Sequence, residues 1–291
     1  MKIENRCPIC GGESFTAYTA KISPFIHERM FQNAIQTECL LLCCNKCKFR
    51  FFNIRPDALE MARLYNDYRG ASYQQQREKY ESIYTKEFNH LIGSNEIEIK
   101  NRRGILNKVL KDNNVPDDIS VLDFGGNDGR FIPEHLIGKK YCYDISGNAT
   151  IAGVTKLSSL DLKGETFGLI LLAHVLEHVS YPKELMKEVV SSMSPSSLLY
   201  IELPEEVSLP FIEACKKKMR SFLLGPTEHA VMHEHINQFT SASLRSLLRE
   251  MELECVDIGS KRIDLGWSNV NILYCLSKKD SSRFHCQNEH I

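Results

Sequence analysis

Short apolar runs alternate with helically spaced stretches from residue 119 onward. The runs ISVLDF, KYCYDI, FGLILLA and SLLYIEL are predicted strands. SYPKELMKEVVSSM is a predicted helix with Ser180 as its N-cap, and TSASLRSLLREME another with Thr240 or Ser241 there. This alternation predicts a mostly parallel α/β sheet with helices on both faces. The last runs, LECVDIG and NVNILYCLS, have no helix between them and should pair antiparallel at one edge.

The first 115 residues divide into two different parts. Residues 1–53 hold a cysteine cluster and little helical periodicity, whereas the following stretch is helical in pattern. In DALEMARLY, Asp57 and Glu60 have the spacing of a capping pair. We therefore expect four regions: an N-terminal module over 1–53, a helical linker or lid over 54–115, a sheet domain over 116–278 and a polar tail over 279–291.

Composition narrows the function classes. The 291 residues are 43% hydrophobic and 25% charged, with 36 basic against 37 acidic side chains. Basic side chains are not in excess, so the composition gives no indication of a nucleic-acid partner. No stretch reaches the ~20 apolar residues of a membrane span, and the start lacks an apolar signal core. We expect a cytoplasmic protein with a small-molecule partner and no membrane partner.

Two C-x2-C pairs indicate a metal site. Cys7 and Cys10 form the first pair, and Cys44 and Cys47 the second, with Cys43 as an alternative to Cys44. In a cytosolic chain this pattern is typical of metal ligation rather than of disulfides. Four thiolates complete a closed tetrahedral site, so we expect structural Zn²⁺.

The stretch VLDFGGNDGRF predicts a ligand-binding turn after the first strand. It is not the G-x-G-x-x-G pattern of dinucleotide folds, and it carries Asp123 and Asp128. Like charges at ~4 Å repel by about 1–4 kcal/mol, so two carboxylates disfavour a pyrophosphate and favour a cation. S-adenosylmethionine (SAM), with its ammonium and sulfonium, fits this charge. We expect a strand, the turn, a helix and a second strand in this order along the chain. The residues expected to bind SAM are Asp123, Gly125, Gly126, Asn127 and Gly129.

The second strand ends in another acid. Asp144 lies 21 positions after Asp123, in YCYDIS. An acid at this place in nucleotide-binding folds accepts hydrogen bonds from the ribose hydroxyls. We therefore expect Asp144 to bind the ribose of the cofactor.

Residues 119–277 resemble a class I SAM-dependent methyltransferase. VLDFGGNDG resembles its first motif, YDIS its second, FGLILLAHVLEHV its fourth strand and following loop, and LLYIELP its fifth strand. This implies a Rossmann-like, mostly parallel seven-stranded sheet with an antiparallel edge strand. The G-x-N-D-G form and the N-terminal cysteines resemble the zinc-containing group related to sugar-nucleotide C-methyltransferases. Gly168 and Met232 stand where Asp and Tyr are usual.

The resemblance also implies roles near the acceptor. It places Ala173 and His174 against the cofactor, and makes His235 the acid/base with Glu234 as its partner or a substrate contact. Glu177 and His178 would serve local hydrogen bonding. Independently of the resemblance, the tyrosines of LYNDYRGASY are candidates for a lid over the cofactor, in particular Tyr68 and Tyr73.

Together these patterns predict methyl transfer from SAM to a sugar or nucleotide sugar, at carbon, oxygen or nitrogen. Two alternatives remain open from the sequence. One is a zinc-containing RNA methyltransferase, which should show a basic stripe. The other is a zinc-stabilised module that binds SAM without catalysis.

Overall fold

The computed structural model describes residues 1–32, 35–159, 161–162, 164–205 and 230–280. Nearly all of the predicted tail, from residue 281, lies outside these residues. Within them, no helix has the length and apolar character that crossing a membrane requires.

A seven-stranded sheet forms the centre of the larger part of the chain, and it confirms the predicted fold class. Its spatial order is β13-β14-β10-β9-β6-β7-β8. Only β14 runs against both of its neighbours, so the reversed strand lies second from the edge. The strands are β6 (Val121–Phe124), β7 (Lys140–Tyr143), β8 (Thr155–Leu157), β9 (Phe167–Ala173), β10 (Met193–Pro204), β13 (Leu253–Asp264) and β14 (Asn269–Lys279).

Helices cover both faces of this sheet. Buried side chains of α6 and α7 pack with Leu122 and Ile170 on one face, whereas those of α5 pack with Val121 and Leu169 on the other. The alternating orientation of strand side chains explains this division. The helices are α1 (Pro24–Ile26), continued by a π-helical turn (His27–Phe31), α2 (Ala58–Tyr65), α3 (Ala71–Glu78), α4 (Lys86–Ser94), α5 (Glu96–Asp112), α6 (Pro182–Ser191) and α7 (Ser241–Glu250).

The helix expected after the glycine turn is not there. Residues 125–139, which connect β6 to β7, form turns only. Pro133 lies in the middle of this connection, where it removes a backbone donor and disfavours the helical conformation of Ile132. Phe131, Ile132 and Leu136 instead pack as a buried cluster against α5. Within the described residues, no helix N-terminus therefore lies directly after the turn.

The helix starts were predicted with mixed success. Asp57 and Glu60 form the expected capping box at α2, and Thr240 caps α7 together with Ser243. The prediction of Ser180 as the N-cap of α6 was wrong, because α6 begins one residue later, after Tyr181. The Ser180 hydroxyl instead donates to the carbonyl of Pro56 at 2.6 Å, which ties the α6 start to the N-terminal region.

A second, five-stranded sheet joins distant parts of the chain. Its order is β11-β2-β3-β4-β12, so the two outer strands come from residues 230–238 and the three inner ones from the N-terminal region. The N-terminal sheet is thus completed by residues that follow β10. Its strands are β2 (Phe15–Ile22), β3 (Glu38–Cys44), β4 (Arg50–Phe52), β11 (Ala230–Met232) and β12 (Asn237–Gln238), and β1 (Lys2–Ile3) pairs separately with β5 (Ile54–Arg55).

Candidate functional site

A cavity of about 510 Å³ lies at the carboxyl ends of β6, β7 and β9. Its other wall comes from residues of α2, α4 and α5 and the turn after α2, and residues 234–235 close one end. Two residues from the predicted set, Gly129 and Tyr73, do not line it. The predicted residues that do are Tyr68, Asp123, Gly125, Gly126, Asn127, Asp144, Ala173, His174, Glu234 and His235.

The glycine turn brings backbone to the cavity surface. Gly125 has φ +75°, and a Cβ there would lie 2.6 Å from Val175 Cγ2. A Cβ on Gly126 would lie 2.1 Å from Asp123 Cγ, so only glycine leaves that carboxylate room. Asn127 adopts φ +57°, a conformation that Asn accepts better than most residues. Gly129 faces Val154 instead, which makes it a packing residue of the turn.

Asp123 is a buried carboxylate without a complete set of partners. It is 1% exposed, and its Oδ2 has no hydrogen-bond partner among the described residues. Burial raises the pKa of Asp123 to about 7, although the charge of Arg102 acts in the opposite direction. A cation beside this carboxylate would remove the cost of ionising it.

Asp128 does not contribute a free charge to the cavity, contrary to the sequence argument. Its carboxylate accepts from Arg130 Nε at 2.9 and 2.8 Å. Burial acts against ionisation of Asp128, but the hydrogen bonds from Arg130 lower its pKa. The negative character of the turn therefore rests on Asp123 rather than on a pair of acids.

Asp144 is oriented by two backbone amides. Its Oδ2 accepts from Asn127 N at 2.8 Å and its Oδ1 from Ser146 N at 2.7 Å. Each carboxylate oxygen keeps a free lone pair, so a vicinal diol could still donate to both. The adjoining Ile145 is 70% exposed and lines the same cavity, where it offers an apolar surface to a flat ring.

His174 lies at the centre of a buried charged network. It has φ +56°, and its Nδ1 and Nε2 lie 3.2 Å from Glu177 Oε1 and 3.4 Å from Glu202 Oε1. Burial opposes protonation of His174, but these two carboxylates raise its pKa. Arg102 Nε donates to Glu202 at 2.5 Å, and burial of Glu202 is overcome by Arg102, so its pKa falls to about 2. Arg102 and His174 thus contact the two buried carboxylates of Glu202 and Glu177.

His178 and His235 lie together at the end of the cavity. Their ring centroids are 4.7 Å apart, and His178 Nδ1 contacts the Glu234 carbonyl at 3.1 Å. Burial, reinforced by the charge of His178, lowers the pKa of His235 to about 4. His235 is therefore a neutral imidazole at ordinary pH.

Glu234 is held in place by the α3 helix. Tyr73 donates its hydroxyl to Glu234 Oε1, and Arg77 Nη1 donates to Oε2 at 3.3 Å. Burial opposes ionisation of Glu234, but the positive charge of Arg77 lowers its pKa to about 2. Tyr73 is fully buried in an aromatic cluster, so it orients Glu234 from behind rather than covering the cavity as a lid.

The structure brings the four cysteines of the two C-x2-C pairs together. Cys7 Sγ and Cys47 Sγ are 3.5 Å apart, and Cys10 Sγ and Cys44 Sγ are 3.6 Å apart. All four sulfurs lie within 4.8 Å of one another, and Cys43 is not among them. A tetrahedral zinc with Zn–S bonds of ~2.3 Å has S···S edges of about 3.8 Å, so the cluster fits Zn²⁺.

A buried cation lies in the same module. Arg55 is 1% exposed, and its three guanidinium nitrogens have no hydrogen-bond partner within the described ranges. Burial lowers the pKa of Arg55 to about 9, and attraction to Tyr181, Glu4 and Cys7 opposes this shift. A zinc ion with four thiolates carries two net negative charges, which would compensate such a cation.

Sequence reasoning missed several residues of the site. Glu202 was visible as a lone acid inside the apolar run LLYIELP, a signal that a buried strand carries a functional charge. Arg102 and Arg77 gave no such signal, because charged residues are ordinary on helices. Their roles depend on tertiary contacts with Glu202 and Glu234.

Comparison with known proteins agrees with this geometry. A family model described as a methyltransferase domain matches residues 99–258. The solved structure of 1,6-didemethyltoxoflavin-N1-methyltransferase from Burkholderia thailandensis is 17% identical with a TM-score of 0.52, covering 85% of this chain and 98% of that one. That structure holds 1,6-didemethyltoxoflavin and S-adenosylhomocysteine.

A weaker likeness involves a Thermotoga maritima protein described as a possible histamine N-methyltransferase. It is 16% identical with a TM-score of 0.46, covering 71% of this chain and 98% of that one. No curated protein gave a significant match. At these identities the Burkholderia structure shows the fold alone, and the family rests on the family model.

The family match spans more than half of the chain and includes the glycine turn, Asp144 and the His174 loop. With the cavity at the carboxyl edge of a seven-stranded sheet, this shows that the chain belongs to the methyltransferase-domain family and is a SAM-dependent methyltransferase.

Proposed function

We propose that this enzyme transfers the methyl group of SAM to a small-molecule acceptor, a sugar or nucleotide sugar. One observation carries the proposal: a single cavity has the glycine turn and Asp144 on one side and Glu234 and His235 at its end. An acceptor between these two groups would lie beside the cofactor. The non-catalytic alternative is set aside, because the chain is a methyltransferase.

The cofactor side of the cavity would hold SAM through three groups. Asp123, with its unpaired Oδ2, would face the ammonium, and Asp144 would accept from the ribose hydroxyls. Ile145 would lie against the adenine ring. Gly125 and Gly126 would let the turn approach the amino-acid part, and Ala173 and His174 would form the floor beneath it.

The acceptor side would supply positioning and a base. SAM supplies an electrophilic methyl group, and much of the rate comes from holding the acceptor atom in line with it. His235, neutral because burial lowers its pKa, would remove a proton from the acceptor. Glu234, fixed by Tyr73 and Arg77, would accept a hydrogen bond from an acceptor hydroxyl.

A small polar acceptor agrees with the shape and charge of the molecule. A cavity of about 510 Å³ lies within the range of small-ligand sites. Its acceptor end carries a carboxylate and imidazoles, which are hydrogen-bonding partners for hydroxyl groups. The net charge of −1 speaks against a polyanionic RNA substrate.

We also propose that Cys7, Cys10, Cys44 and Cys47 bind structural Zn²⁺. The sulfur distances and the buried charge of Arg55 support it. Four thiolates leave no open position for a substrate, so the metal would stabilise the fold. Because reduced thiols are required, we place the enzyme in the cytoplasm.

Turnover of a panel of nucleotide sugars with methyl-labelled SAM tests the proposed acceptor. We expect label in at least one sugar, with the position of the label distinguishing carbon, oxygen and nitrogen transfer. Total RNA and a set of small aromatic amines serve as competing acceptors in parallel reactions. Label in RNA or amines with none in any sugar would contradict the proposed acceptor class.

A further inference from the structure

The segment that carries Glu234 and His235 is bound on both sides to the N-terminal sheet. Before it, β11 pairs with β2, with Met232 opposite Ile22, and Ser23 N donates to the Met232 carbonyl at 2.9 Å. After it, β12 pairs with β4. The residues proposed to handle the acceptor therefore form a short bridge between the two edges of this sheet.

Apolar side chains of the same segment anchor it in the N-terminal core. Met232 and Ile236 are buried in a cluster that includes Phe25 and Phe52. Phe239 packs against Phe49, with ring centroids 4.9 Å apart. Buried anchors on both sides of 234–235 restrict how far these two side chains can move.

The second anchor leads directly to the cysteines. Cys44 ends β3, and its amide donates to the Phe49 carbonyl at 2.8 Å across the turn that contains Cys47. β4 begins at the next residue, Arg50, and pairs with Gln238. The turn that carries the Cys44 and Cys47 thiols therefore fixes the position of Phe49 and of β4, the strand that pairs with β12.

Within the described residues, the cofactor side of the cavity has no strand pairing with the N-terminal sheet, although Leu122 and Phe124 of β6 lie in the same apolar core as Cys44 and Cys47. Its turn and Asp144 follow β6 and β7, which pair only with strands of the seven-stranded sheet. The 234–235 segment does contact that part of the chain, through Asn237 Nδ2, which donates to the carbonyls of Leu176 and Val179 at 2.8 and 2.7 Å. The 234–235 segment is thus anchored to the N-terminal sheet and to the loop after β9. Of these two anchors, the N-terminal sheet is the one that carries the cysteines.

We propose that zinc at the four cysteines positions Glu234 and His235, so that losing the metal disables the acceptor side while the cofactor side remains formed. This rests on the proposed zinc site and deepens it, because the metal then acts on substrate handling as well as on stability. Phe49 and Phe239 are the positioning residues that connect the metal to the site.

The test compares two neighbouring substitutions in the full chain. Cys44→Ser removes a proposed ligand, whereas Cys43→Ser changes the adjacent thiol that lies outside the cluster. Zinc content, hydrogen exchange of residues 230–239 and 121–129, and calorimetric binding of S-adenosylhomocysteine are measured for both. For Cys44→Ser we expect zinc loss and roughly tenfold or faster exchange in 230–239, with exchange in 121–129 and cofactor affinity within about threefold of the parent. Cys43→Ser should match the parent throughout.

Phe239→Leu keeps all cysteines and separates the coupling from the fold. We expect retained zinc, unchanged cofactor affinity and faster exchange in 230–239. In NMR titrations the pKa of His235 should move from about 4 towards its ordinary value, because the side chain becomes less buried.

The outcomes distinguish the two proposals. A parent chain that purifies with no zinc and binds none contradicts the metal site itself. Zinc loss in Cys44→Ser with unchanged exchange in 230–239 contradicts the positioning role alone. Should Cys44→Ser unfold, Phe239→Leu decides, and equal exchange in both segments of that variant overturns the inference.

Discussion

The two sides of the cavity are built in different ways. On the cofactor side, backbone shape dominates: tight turns follow parallel strands, and two amides orient Asp144. On the acceptor side, side chains dominate: Glu234 is held by Tyr73 and Arg77, and His235 packs against His178. The first is local in sequence, whereas the second joins Glu234 to residues more than 150 positions away and His235 to His178, 57 positions away (235 − 178).

This difference indicates how readily cofactor binding and acceptor specificity can each be altered by substitution. A turn made by glycines tolerates few substitutions, so the cofactor side suits a ligand that is shared by enzymes with different substrates. A network of side chains can be altered one residue at a time without disturbing the sheet, so the acceptor side suits a variable substrate. The following substitutions should therefore separate catalysis from cofactor binding.

The largest effect is expected for His235→Gln. Losing a general base lowers kcat by about 10²- to 10⁴-fold, while calorimetric affinity for SAM should stay within about threefold. His178→Gln, in the neighbouring ring, is the matched control and should cost less. A SAM affinity that falls in parallel with kcat would show that the two sides are one unit.

The pH dependence of kcat tests the same residue. Burial lowers the pKa of His235 to about 4, so the base is unprotonated at higher pH. We expect the acidic limb of the profile near pH 4 rather than near the ordinary histidine value of ~6.5. A limb at about 6.5 that persists in His235→Gln would assign the proton transfer to another group.

Asp144→Ala should have the opposite effect to His235→Gln: weaker SAM binding with little change in kcat. Loss of hydrogen bonds to a charged acceptor costs about 1.5–3 kcal/mol, which corresponds to roughly 10- to 150-fold weaker SAM binding. At saturating SAM, kcat should change little. Asp144→Asn, which keeps one accepting oxygen, should bind with intermediate affinity, and unchanged affinity in the Ala variant would contradict the ribose assignment.

Tyr73→Phe tests the support of the acceptor side from behind. Removing the hydroxyl that donates to Glu234 should lower kcat by about 10-fold, because the carboxylate loses a fixed orientation. Tyr84→Phe is the control, since Tyr84 lies in the same aromatic cluster but donates to Asn89 at 2.8 Å. Equal rates in the two variants would remove Tyr73 from the network.

Cofactor affinity should depend on pH through Asp123. Its pKa is raised to about 7, so below pH 7 it is protonated and attracts a cation less. We expect SAM to bind up to about 10-fold more tightly at pH 8 than at pH 6, with proton release on binding near pH 7. Calorimetry in buffers of different ionisation enthalpy measures both, and Asp123→Asn should abolish the dependence.

The smallest effect is expected for Arg130→Gln. It frees the Asp128 carboxylate, and a partly exposed ion pair contributes only about 0–1 kcal/mol. SAM affinity should rise by less than about fivefold. A larger gain would mean that Asp128 does act on the cofactor once it is released.

The sheet and the glycine turn could be predicted from sequence because their signals are local. Apolar runs gave β6, β7, β9 and β10, and the order of turn and acid placed Asp123 and Asp144 at one edge. The predicted helix after the turn does not form because Pro133 interrupts this stretch. Gly168, which stands where Asp is usual, lies at the start of β9 against Ile119, at the end of the strand away from the cavity.

On the acceptor side, individual residues could be predicted from sequence, but their spatial arrangement could not. Glu234 and His235 could be identified in the sequence, but the binding of their segment to the N-terminal sheet could not, because β11 and β12 are two or three residues long and pair with strands about 200 positions away. Met232, noted as a departure, is buried in the N-terminal core, so it serves packing. Asp123 and Asp128 were both predicted to favour a cationic ligand, but Arg130 neutralises Asp128.

The completion of the N-terminal sheet by residues 230–238 also constrains synthesis of the chain. While the ribosome is still making the sheet domain, β2 and β4 have unpaired outer edges. At about 5–20 residues per second this interval lasts on the order of ten to forty seconds, during which another nascent chain could pair there. A chaperone would protect the edges, and a fragment that ends before residue 230 should aggregate during expression.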